Sequence, residues 1–126
     1  MEEEPVRLGR ISRTIEKTLD KDFGDEIWIF ILSRDLDSLA NRWPKNYIAR
    51  IEEAGRIIKK PDYVAYLEEG KTLYLIKEYF KEGVFKKVLL EIVFERQWHL
   101  KSIRLLEETT LKEIIGKSQL KRVISN

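Results

Sequence analysis

The sequence predicts an α+β fold: N-terminal helices packed on a four- to five-stranded antiparallel meander sheet, with a C-terminal helix. Two observations carry that expectation. Up to Lys60, apolar residues recur mainly at three- and four-residue steps, whereas from Tyr63 to Glu107 they gather into four strand-length runs. Those runs are separated only by Glu69-Gly70-Lys71, Glu82-Gly83 and Arg96-Gln97. Such connections suit hairpins, because a parallel crossover needs about a dozen residues or more. The 126 residues suit one domain over 1–126, with fraying expected at 1–5 and 118–126. Hydrophobic residues at 43% beneath a skin with 37% charged residues point to an ordered core rather than disorder.

Each element has a local cause. Val6 to Ser12 contains Gly9 and reads as an edge strand or an irregular lead-in. From Thr14, which fits an N-cap, Ile15, Leu19 and Phe23 share one helical face, and Gly24 fits just past the C-terminus. Glu26 to Ser33 is a strand, since Ile27 to Leu32 is almost wholly β-branched or aromatic, and its apolar residues of both parities predict burial on both faces or one face covered by a neighbouring helix. Ser33 and Asp35 can cap a short helix through Leu36 and Leu39 that Pro44 ends. A longer helix follows from about Lys45 to Lys59, with Ile48, Ile51, Ala54 and Ile58 on its apolar stripe. Lys60-Pro61-Asp62 stops it. The meander comprises Tyr63–Glu68, Thr72–Lys81, Val84–Glu95 and Trp98–Leu106, and the strand Ile27–Leu32 extends it. In its last run the apolar phase slips between Leu100 and Ile103, which predicts a bulge near Ser102. Thr109 to Ile115 reads as the terminal helix, capped by Thr109 or Thr110.

Composition excludes several chemistries. Cysteine is absent, so disulfides, thiol catalysis and thiolate metal sites are ruled out. His99 is the only histidine, which rules out multi-histidine metal sites and two-histidine ribonuclease chemistry. The six glycines are too scattered for a phosphate loop, and no cofactor or metal spacing is present. No apolar run reaches the roughly 20 residues of a membrane span, and the acidic start is unlike a signal peptide, so a soluble, cytoplasmic protein is expected. Twenty-four basic residues against 22 acidic ones leave +2, too little by itself to imply a polyanion partner.

The late strands combine basic and aromatic residues. Lys77, Tyr79 and Lys81 share one parity, and Arg96, His99, Lys101 and Arg104 surround the last hairpin. Metal-independent RNA cleavage needs a base for the 2′-hydroxyl, an acid for the leaving oxygen and cations for phosphorane charge. The plainer reading is that strand lysines blunt sheet edges. His99 likewise reads either as a packed strand residue beside Trp98 or as an acid–base group.

The succession Gly9-Arg10-Ile11-Ser12, the strand Trp28–Ser33, Asp35-Leu36, Trp43-Pro44, Ile57-Ile58 and Lys60-Pro61-Asp62-Tyr63-Val64 resembles the phage- and mobile-element-associated nucleases of the barnase–EndoU–colicin–RelE-like group. The likeness runs over about Val6 to Leu106. It implies metal-independent endoribonuclease activity, an RNA partner, an inhibitor or antitoxin protein, and no cofactor. Asp35 and Trp43 stand where that family commonly has histidines. By analogy with members that use Lys, Arg and Tyr, the resemblance implies a modified site. In it Arg42 and Arg96 hold phosphate, Lys77 stabilises charge, and His99 or Ser102 assists proton transfer. The alternative it implies is a catalytically inactive RNA- or protein-binding module that keeps the fold.

Overall fold

A computed structural model describes residues 5–124. In chain order they form β1 (Val6–Arg10), α1 (Arg13–Leu19), β2 (Trp28–Ile31), α2 (Ser33–Arg42), α3 (Tyr47–Lys59), β3 (Tyr63–Leu67), β4 (Thr72–Lys81), β5 (Val84–Glu95), β6 (Gln97–Leu105), α4 (Glu108–Lys117) and β7 (Lys121–Arg122).

The hairpins of the meander form where the turn chemistry predicts them. At the β4–β5 turn Glu82 and Gly83 have φ of 54° and 76°, two left-handed residues that match the twist of the flanking strands. The sheet as a whole corrects the expected architecture. It is not a four- to five-stranded antiparallel meander behind N-terminal helices. The described strands make a seven-stranded mixed sheet in the order β1-β2-β6-β5-β4-β3-β7. β2 pairs with β6 in parallel, through Ile29 opposite Trp98 and Phe30 opposite His99, and the other neighbouring pairs are antiparallel. Hairpin lengths constrain only consecutive strands, whereas the long stretch between β2 and β6 leaves either direction open. β1 closes one edge and β7 the other, with Lys121 and Arg122 paired to Val64 and Tyr63 of β3 and the Val123 N–H donating to the Asp62 carbonyl at 2.8 Å. The fraying expected at 1–4 and 125–126 lies outside the described residues.

Local corrections have similarly simple causes. α1 begins one residue before Thr14, because Ser12 is its cap and its Oγ accepts from the Ile15 N–H at 3.2 Å. It ends at a left-handed Asp20, well short of Gly24, and the Glu16 carboxylate folds the chain back by accepting from the Phe23 N–H at 2.9 Å. α4 starts at Glu108, ahead of both threonines proposed as caps. The bulge does fall beside Ser102, as the slipped apolar phase predicts: Glu91 faces Ser102 and Ile92 faces Leu100, which leaves Lys101 as the extra residue.

Strand alternation gives the sheet two unequal faces. On one, Ile29, Ile31, Leu73, Leu75, Leu90, Ile92, Trp98 and Leu100 pack with Ile15 of α1 and Ala54, Ile57 and Ile58 of α3. On the other, Ala65, Ile76 and Leu89 pack with Ile114 of α4. β1 reaches the main core by lying close to α3. A Cβ on Gly9 would meet Ile58 Cγ2 at 3.2 Å, so the bare backbone is what permits the approach.

Candidate functional site

The five residues expected to form a site do not gather. Lys77 lies on the α3-bearing face of β4, opposite Val88 of the main core. Its Nζ donates to the Lys60 carbonyl at 3.1 Å and sits 3.5 Å from Asp62 Oδ1, so it closes off the end of α3. His99 and Ser102 lie on the opposite face of the sheet, next to Val93 and Glu91. Arg96 occupies the β5–β6 turn with φ of 66°, and Arg42 stands exposed in the last turn of α2. Arg42 is seven residues beyond the Asp35 that touches His99, about 10 Å along a helix. Of the set, only His99 and Ser102 share a surface, and Ser102 Oγ is directed to Glu91 Oε1 at 3.4 Å.

His99 is a packed residue, 3% exposed. Its Nδ1 lies 2.8 Å from Asp35 Oδ2. A carboxylate can only accept, so Nδ1 carries the hydrogen. Asp35 also accepts from the Leu32 N–H at 3.3 Å, which joins the start of α2 to β6. His99 Nε2 is buried without a hydrogen-bond partner, 3.7 Å from Glu95 Oε2. That carboxylate is held in turn by Arg34 Nη2 at 2.7 Å. The Arg34 hydrogen bond keeps the Glu95 carboxyl below the usual carboxylate range; desolvation opposes this, and Arg34, His99 and Lys101 assist through their charge. Neither ring nitrogen of His99 is open to solvent.

Cations converge elsewhere, in an open cleft of ≈ 790 Å³ beside α1. Arg10, Arg13, Lys17 and Lys21 line it together with Glu16, Asp20 and Asp22. Steps of three and four residues place these four bases along one side of the helix and its flanks. Two of the three acids are held by backbone N–H groups, Glu16 accepting from Phe23 and Asp22 Oδ1 from the Gly24 N–H at 2.7 Å, while Asp20 is exposed where α1 ends. Lys21 is occupied as well, 3.7 Å from Glu68 Oε2 and 4.9 Å over the Tyr66 ring. Arg10, Arg13 and Lys17 are exposed and make no ion pair with another described residue. Lys17 also borders a second hollow with Thr14, Thr18, Lys121 and Arg122, so the positive surface continues from α1 onto β7.

The signal for this cleft was present in the chain as the spacing of Arg10, Arg13, Lys17 and Lys21. It was masked by the interleaved Glu16, Asp20 and Asp22, which offset most of that charge along the chain. Among the described residues no group of three or more His, Cys, Asp or Glu side chains is arranged to hold a metal ion. No described helix is long and apolar enough to cross a membrane. Comparison with protein-family models, curated proteins and solved structures gave no match.

Proposed function

We propose that this protein is a non-catalytic RNA-binding module that receives phosphate groups in the cleft beside α1. The observation that carries the reading is the row Arg10, Arg13 and Lys17, three exposed cations on one wall of a hollow that make no ion pair with another described residue. Phosphate contacts by Lys and Arg release counterions and supply most of the affinity for RNA of arbitrary sequence. Lys121 and Arg122 lengthen the track beyond one phosphate. A cytoplasmic setting goes with this reading.

The ribonuclease reading is the weaker of the two because His99 is buried and its proposed partners are dispersed. A module that does not cleave also needs no inhibitor or antitoxin. The test is incubation of the whole protein with labelled mixed-sequence RNA at low salt in chelator, reading bound fraction by anisotropy and chain length by gel. The expected result is bound, intact RNA. Absence of binding would overturn the proposal, and shortened RNA ending in cyclic phosphate would favour the ribonuclease reading instead.

A further inference from the structure

β4 and β5 run past their neighbours. The last β3 residue paired with β4 is Tyr63, opposite Ile76, and the last β6 residue paired with β5 is Leu105, opposite Val88. Side-on bonds continue only to the base, where the Glu78 N–H donates to Asp62 Oδ2 at 2.8 Å and the Leu106 N–H donates to the Lys87 carbonyl at 2.8 Å. Glu78 to Lys87 is therefore a two-stranded arm without a flanking strand among the described residues. Such a ribbon is marginal in water unless something lies against it. Apolar residues are nonetheless placed in the open: Phe80 is 71% exposed, Phe85 57% and Val84 52%.

Phe80 and Phe85 are directly paired across the arm, so their rings share one face, with centroids 6.1 Å apart and planes at 55°. Lys87 stands on that same face, while Lys81 and Lys86 adjoin the two rings in sequence and point to the reverse side. Of the arm's two acids, Glu78 is turned to the Tyr63 hydroxyl, and Glu82 sits at the tip.

Resting on the RNA reading above, we propose that this arm stacks unpaired bases on Phe80 and Phe85, so that the protein prefers single-stranded RNA to duplex. Flat, sequence-tolerant aromatic surfaces beside cations are what a base and its phosphate require together. A second copy of the chain is a poorer occupant, because antiparallel pairing along β4 centred on Tyr79 sets Lys77 opposite Lys81 twice. A bilayer is poorer too. The rings lie on the side of the arm, and the leading end that would enter the headgroups carries Lys81 and Glu82.

The experiment compares the whole protein with Phe80→Ala/Phe85→Ala, Phe80→Tyr/Phe85→Tyr and Arg13→Glu/Lys17→Glu variants. Each is titrated against a labelled single strand and its matched duplex, and folding is checked by circular dichroism. The alanine pair is expected to lose about ten- to a hundred-fold in affinity for the single strand and little for the duplex, with the tyrosine pair close to wild type. Wild-type affinity for single strands in the alanine pair, or an equal loss on both ligands, would overturn the arm's role. Binding that fails in the Arg13/Lys17 variant but ignores the phenylalanines keeps the cleft and removes only the arm. If the wild type binds neither RNA, the reading beneath it falls. Phenylalanine-dependent binding to phosphatidylserine vesicles, with no preference between the RNAs, would assign the arm to lipid and overturn the proposal.

Discussion

The pair His99–Asp35 shows how one contact can decide between chemistry and structure. Sequence made His99 visible as the single histidine and Asp35 visible as a helix cap, but their separation by 64 positions hid that they meet at 2.8 Å. With both groups buried, the contact fixes α2 against β6, and the histidine is withdrawn from solvent. Deleting one member strands the other in a place that water does not reach. His99→Ala is expected to cost about 1–3 kcal/mol in urea unfolding. Asp35→Ala is expected to cost at least as much because the Leu32 N–H loses its acceptor as well. The double variant should cost clearly less than the sum, since the second deletion removes a group already without its partner. RNA affinity should stay unchanged in all three. A large loss of binding in His99→Ala with stability intact would return His99 to the functional surface.

Elements were legible where period and turn chemistry act locally, and illegible where partners come from afar. The four late strands and their hairpins follow from alternation and from short connections, with Gly83 suited to the left-handed position it takes. β1 was ambiguous because Arg7, Gly9 and Arg10 dilute its pattern, and its register shifts between Arg7 and Gly9. Only the nearness of α3 explains the glycine. Gly9→Val is expected to destabilise by about 1–3 kcal/mol, because its side chain must displace Ile58, which is fully buried and has nowhere to go. A chemical-denaturation midpoint equal to wild type would show that β1 can lift from α3 at little cost. The cation row of α1 was readable as spacing but not as a site, since Glu16, Asp20 and Asp22 alternate with it in the chain and only folding gathers the four bases around one hollow.

At the scale of the whole molecule, the mixed sheet was the least legible feature. Two residue pairs join β2 to β6 and two join β7 to β3, too few to imprint a pattern on either partner's sequence. The sheet also positions tyrosines where ionisation is disfavoured. Burial pushes the Tyr66, Tyr74 and Tyr79 phenols up, and a hydrogen bond to Glu78 raises Tyr63. A raised folded value means that the neutral phenol is the form the fold favours. The stability it contributes is complete below the ordinary tyrosine value of about 10 and is lost as pH rises through the higher folded values. Urea midpoints measured across alkaline pH should therefore fall together with the appearance of phenolate absorbance, and a flat midpoint through that range would contradict the assignment. The central claim, that the hollow beside α1 holds RNA phosphate, is tested most directly by the salt dependence of RNA affinity. Arg10, Arg13 and Lys17 by themselves contribute about −2 to the log–log slope on single strands, and roughly 1.4 of that is lost in Arg13→Glu/Lys17→Glu. An identical slope in the wild type and that variant would contradict it.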